Sequence, residues 1–237
     1  MKKRLPIALV LVILLTALVV WLEPTRLLWG TLRGDAFFKG RPASYWARQV
    51  ERWTEAGERC LGVSDHVRLS DQAMDYLGLL DRHPPRPTVL DQDPAALAVL
   101  TELLDCDHSS VRYHAVHALG ARECWPEDMG TPLLRAALAH RRADVRWWAA
   151  VLLVRNGDRE DLDRVIPVLI EAAQLADYYD RLPAIEALET IGPPARAAAA
   201  PLLAIQDQAF GPELRAATEK ALARIGPEPA AAKADIR

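Results

Sequence analysis

This chain of 237 residues has few cysteines, no dominant sign of charge and no recognisable catalytic motif. Its three cysteines, Cys60, Cys106 and Cys124, are an odd number and make no disulfide framework. Cys106 and Cys124 flank a predicted helix that would hold them too far apart for an easy bridge, which leaves open a pairing of Cys60 with one of them. Lys and Arg number 29 against 32 Asp and Glu, a formal net charge of -3. Without Lys2-Lys3-Arg4 the remainder is more acidic still, which argues against a binder of phosphate backbones and so against a nucleic-acid partner. No nucleophile elbow, phosphate-cradling Gly loop or metalloprotease motif occurs. Carboxylates such as Asp161 and Asp163, or Glu171 and Asp177, fall where helix surfaces and loops ordinarily carry charge. No catalytic residue and no cofactor is therefore assigned.

Long apolar runs are also scarce, with one exception. Residues 5–22 are apolar except for Pro6 and Thr16, and they come directly after the basic cluster at 2–4. A helix of that length spans about 27 Å, close to the bilayer core. A cleaved signal peptide and a buried soluble helix are the competing readings. The run ends in Val19-Val20-Trp21-Leu22-Glu23-Pro24, without the small-x-small pair of a cleavage site, and this favours a retained anchor. No Cys follows it directly, so a lipoprotein is excluded. The tight basic cluster before the run predicts a single-pass membrane protein with a cytoplasmic N-terminus and an exported C-terminal domain. Trp21 and Trp29 fit an interfacial belt. Leu27-Leu28-Trp29, Leu32, Phe37 and Phe38, flanked by Arg26 and Arg33, read either as a segment along the headgroups or as a cap against the first helices of the C-terminal domain.

The informative presence is a repeat. Pro132, Pro167 and Pro201 each open a Pro-Leu-Leu or Pro-Val-Leu triplet. Thirteen residues after each Pro come Val145-Arg146, Asp180-Arg181 and Leu214-Arg215; eight further on come Leu153, Leu188 and Leu222; four beyond those come Gly157, Gly192 and Gly226. Val111-Arg112 and Leu119-Gly120 make an earlier copy, and the steps 111, 145, 180, 214 are 34, 35 and 34. A fixed period of this length marks stacked units, each too small to enclose its own apolar face. Within the third copy, Pro167 reads as first-turn proline, and Val168, Leu169, Ala172 and Leu175 as the buried stripe of a first helix. Ala184, Ile185, Leu188 and Ile191 give the second helix, and Gly192 its end. In the last copy Leu202, Leu203 and Ile205 form the corresponding first-helix stripe. Small residues at matching positions (Ala115, Ala149, Ala184, Thr218) let neighbouring helices approach closely.

These residues resemble HEAT repeats, particularly the short form of phycobilisome-lyase-like bacterial proteins, over roughly residues 94–226. The resemblance implies an all-α fold, an armadillo-like α-solenoid of stacked antiparallel helix pairs. In that family an Asp near the inter-helix turn often pairs with the repeated Arg. Asp107 stands near that place in the first copy, and later copies show no clear equivalent. A degenerate N-terminal copy is also predicted, with one helix through Tyr45, Trp46, Val50 and Trp53, a second through Ala73, Tyr76, Leu77 and Leu80, and a Pro-rich insert at 83–94. The predicted organisation is an anchor at 1–23, a juxtamembrane linker at 24–41, four clear repeats plus the degenerate one at 42–226, and a frayed tail at 227–237.

Two constellations carry candidate chemistry. Cys106, His108, His114, His117 and Cys124 hold good zinc-ligand types, but they lack paired Cys-x-x-Cys or His-Glu-x-x-His spacing, so solvated histidines compete with a metal site. The adjacent Trp147 and Trp148 stand about 100° apart on a helix, so both cannot point inward. Trp147 aligns with Tyr113, one repeat earlier, beside Arg146 and Arg112. Arg112, Tyr113, Arg146, Trp147 and Trp148 thus have the composition of a binding hot spot on a ridge of second helices. The competing reading is that both Trp fill a gap between repeats. The function predicted from the sequence is a membrane-tethered, non-catalytic scaffold for a protein partner. The alternative is a lyase-like or metal-dependent enzyme acting on an envelope substrate.

Overall fold

The computed structural model describes residues 14, 26–60, 84–121, 125, 129–206 and 211–226. Apart from helical Leu14, the apolar run 5–22 lies outside these residues, as do Cys124, the helix predicted through Ala73–Leu80 and the tail. Among the described residues no helix is long and apolar enough to cross a membrane. The chain divides into two compact units, residues 1–111 and 112–237.

The N-terminal unit begins with α1 (Leu27–Arg33), a short hairpin of β1 (Phe37–Phe38) and β2 (Arg41–Pro42), and α2 (Ala43–Cys60). The hairpin is a small exception within a mostly helical fold. Its strands are antiparallel, with Phe37 opposite Pro42 and Phe38 opposite Arg41. Lys39 and Gly40 turn it with φ of 48° and 70°, the positive pair that two-residue hairpin turns of the right twist require. Phe38 is buried against Trp46, whose indole N–H donates to the Phe38 carbonyl at 3.1 Å. This contact joins the hairpin to α2. The Pro-rich stretch is more than a surface loop: its 3-10 turn at Thr88–Leu90 buries Val89 and Leu90. A second 3-10 turn, Pro94–Ala96, leads into α3 (Leu97–Leu103).

The unit boundary falls within α4 (Ser109–Gly120). The C-terminal unit continues as α5 (Gly130–Ala137), α6 (Ala143–Arg155), α7 (Leu162–Leu175), α8 (Tyr178–Ile191), α9 (Ala199–Gln206) and α10 (Pro212–Ile225). Each odd-numbered helix here packs on the even-numbered helix after it. The second helices α6, α8 and α10 also pack side by side in order, and α7 lies beside α9. Among the described residues of this unit no strand occurs. The periodic positions explain the stacking. Ala149, Ala184 and Thr218 are fully buried, and Leu119, Leu153 and Leu188 are 1%, 1% and 0% exposed. Each such leucine contributes about 1.5–3 kcal/mol of apolar burial. Leu222, in the last copy, is half-buried.

Three local expectations need correction. Pro167 is not in a first turn, because α7 starts at Leu162. The proline therefore removes an interior hydrogen bond to the Asp163 carbonyl, a cost the helix meets by burying Val165, Ile166, Leu169, Ala172 and Ala173. That face is rotated from the predicted stripe, and Leu175 stands 69% exposed. Leu203 is likewise 52% exposed, while Leu202 and Ile205 are buried. The terminal glycines also serve two purposes. Gly157, Gly192 and Gly226 have positive φ and end their helices, as expected. Gly120 instead lets α6 approach, since a Cβ there would lie 2.8 Å from a Leu152 methyl.

Candidate partner-binding surface

The repeated arginines begin the site, because they set the start of each second helix. Arg112 is 8% exposed and reaches forward one repeat, its Nε 2.7 Å from the Asp144 carboxylate. Arg146 also reaches forward, to Glu171 at 2.7 Å, and donates to the carbonyls of His140 and Arg141 in the turn before its own helix. Arg181 donates to the carbonyls of Gln174 and Ala176 in the equivalent turn. Basic side chains at a helix C-terminus satisfy carbonyls that have no intrahelical donor. In two copies the arginine thus grips the turn within its own pair, and in two it ties its pair to the next. Asp144, one repeat on, is thus a partner of Arg112 that counting along the sequence did not point to. Arg215, in the last copy, is exposed.

The aromatic residues lie beside this series. Tyr113 is 38% exposed. Its ring lies 4.1 Å from that of His117, 5.1 Å from His114, and 4.9 Å edge-on from Trp148. His117 in turn meets the Trp148 ring at 4.6 Å. The ring that packs against Tyr113 from the next repeat is therefore Trp148. It is 8% exposed, and its indole N–H donates to Asp180. Trp147 is half-buried, and its indole N–H is buried with no hydrogen-bond partner among the described residues. Helix geometry demanded that the two indoles diverge; the acceptor supplied by α8 explains why Trp148 turns toward the stack.

Two titratable groups are displaced here. Burial pushes the Asp180 carboxyl above its ordinary value; the Trp148 hydrogen bond opposes this, and the charges of Asp177 and Asp144 add to it. Asp180 occupies the repeat position filled by Val111, Val145 and Leu214 elsewhere. Sequence alignment of the copies marks that anomaly, but only the structure shows its indole partner. Burial pushes the His117 imidazole below its ordinary value, helped by the Arg155 charge and opposed by the Tyr113 carbonyl. A carbonyl only accepts, so His117 Nδ1 is the donor in their 2.9 Å contact. The neutral ring then presents Nε2 as an acceptor.

Of the metal candidates, His114 and His117 belong to this aromatic group, Cys106 lies in the turn after α3, and Cys124 lies outside the described residues. Among the described residues no three His, Cys, Asp or Glu side chains meet in a way that could hold a metal ion.

The α3 to α7 segment carries a known signature. Residues 97–174 match the family model described as HEAT repeats. That segment is thus a helical repeat array, in keeping with the stacked helix pairs described above. No curated protein matches the chain.

Proposed function

We propose that the protein is a single-pass membrane scaffold whose repeats, of the short HEAT form, present the second-helix ridge to a protein partner on the exported side. The observation that carries this reading is the aromatic group on successive second helices, in which an exposed Tyr113 packs on His117 and Trp148. Aromatic side chains contribute large contact area for little lost entropy, which is why they dominate interface energies. Arg146 is half-buried and held by Glu171 and the turn carbonyls, and Arg112 is paired with Asp144, so the aromatic side chains rather than the arginines would carry the contact. Tethering is supported by the apolar run 5–22 and its basic flank.

The test is cross-linked capture from solubilised membranes with tagged full-length protein. Trp147→Ala should weaken capture of a specific partner by about 2 kcal/mol, on the order of thirtyfold, with helical content and Tm retained. Leu203→Ala, on an exposed first-helix position, should leave capture intact. Equal capture by both variants would remove the ridge from the interface. Release of the intact chain by alkaline carbonate would remove the tether.

A further inference from the structure

The N-terminal unit contains a cavity of about 400 Å³ walled by α1, the start of α2 and the turn after α3. Its volume suits a small organic ligand rather than a bare ion. Three guanidinium groups line it: Arg26, Arg33 and Arg48. Arg33 lies over the Trp29 ring at 5.7 Å. Among the described residues neither Arg26 nor Arg48 forms an ion pair. Burial, and then the nearby charges of Arg26 and Arg52, hold the Arg48 guanidinium below its ordinary value, with Glu51 opposing. Arg26 is held in the left-handed region at φ 53°, a conformation that costs a residue with a Cβ and that is maintained by its surroundings. α1 itself is closely seated, since a Cβ on Gly30 would collide with the Pro42 ring.

The carboxylates on the same walls are already engaged. Asp35 accepts the Ser44 amide, Glu102 accepts the Ala36 amide at 2.6 Å, and Glu51 meets His108 at 3.3 Å. Asp105 and Asp107 have contacts of their own. The Ser44 hydroxyl, by contrast, is buried at the cavity wall with no hydrogen-bond partner among the described residues. A buried hydroxyl without a partner is costly unless something else completes it.

We propose that this cavity binds a phosphate ester, its phosphate held by Arg26, Arg48 and Arg33 with the Ser44 hydroxyl. Guanidinium forks match phosphate oxygens, and a doubly charged ester offsets the adjacent cations better than a carboxylate does. The acidic wall around Glu102 and Asp105 favours a ligand whose remainder donates hydrogen bonds, as an amine does. The ester can come from a soluble molecule or from a phospholipid headgroup. The proposal is independent of the aromatic ridge.

The test uses full-length protein, delipidated in detergent, titrated with O-phosphoethanolamine and with short-chain phosphatidylethanolamine against chloride at matched ionic strength. A saturable rise in Tm with the soluble ester supports the site and a soluble source; a rise with the short-chain lipid alone supports the site and a headgroup source. Arg26→Gln with Arg48→Gln should raise Kd at least tenfold without lowering the unliganded Tm, because it relieves like-charge repulsion. Ser44→Ala, a milder change, should raise Kd severalfold. Absence of saturable binding by either probe, or binding unchanged in both variants, would overturn the proposal.

Discussion

The repeated arginines of the C-terminal unit and the arginines of the N-terminal unit are the same residue type put to different uses. In the C-terminal unit Arg112, Arg146 and Arg181 find acceptors within the repeats themselves. In the N-terminal unit Arg26 and Arg48 face a cavity and each other. A repeat solves its polar accounting once and reuses the answer. A segment outside the period has no inherited answer, and the proposed ligand would supply one. Exposed apolar residues differ in the same way. Leu28, Trp29, Leu32 and Phe37 cluster within ten residues of the N-terminal unit, whereas Leu175 and Leu203 stand singly.

The largest effect should come from breaking the regular side of this contrast. Leu188→Ala removes a fully buried side chain from a repeat with neighbours before and after it, and should cost about 2–5 kcal/mol in urea unfolding. Leu175→Ala should stay within about 0.5 kcal/mol, because that side chain is in solvent. Similar losses at both positions would show that the buried register is not the one described. Next in size is the ion pair between repeats: Asp144→Ala should cost about 1.5–3 kcal/mol, since it removes a charge-assisted hydrogen bond to the buried Arg112 guanidinium. Set against the unliganded stability expected to survive loss of Arg26 and Arg48, this pair of measurements asks directly whether the two sets of arginines differ.

The smallest effect is a dependence on pH. A carboxyl raised by the fold binds its proton more tightly when folded, so stability falls as pH rises from the ordinary Asp value, 3.8, through the raised one. Asp180→Asn should therefore raise Tm at neutral pH, and the gain should vanish in acid, where the wild-type carboxyl is protonated. His117 works in the opposite direction. Its lowered value means that stability is lost as pH falls through the ordinary imidazole value, 6.5, toward the folded one. Thermal melts of Asp180→Asn and His117→Gln across this range separate the two contributions.

Much of the repeat core was legible in the sequence because period and apolar spacing are local signals. Leu119, Leu153 and Leu188 needed no more than counting. Where reading failed, the deciding contact came from elsewhere in the chain. Pro167 looked like a first-turn residue because the five residues of α7 before it include Asp163 and Arg164, which mask the helix start. The two indoles could be told apart only once α8 supplied Asp180 as an acceptor for Trp148. The pairing of Arg112 with Asp144 could not be counted from one copy, because the carboxylate lies in the next. The hairpin at 37–42 carries Lys-Gly rather than the stronger Asn-Gly signal, so its turn was silent.

The grip of Arg146 and Arg181 on backbone carbonyls has a consequence for how such a chain can change over generations. A carbonyl is present whatever side chain accompanies it, so the turns His140-Arg141 and Gln174–Ala176 satisfy equivalent arginines with unrelated residues. The fastening does not read the letters of the segment it fastens. Those turns are therefore free to drift, and to acquire new surface chemistry, while the helices on either side keep their places.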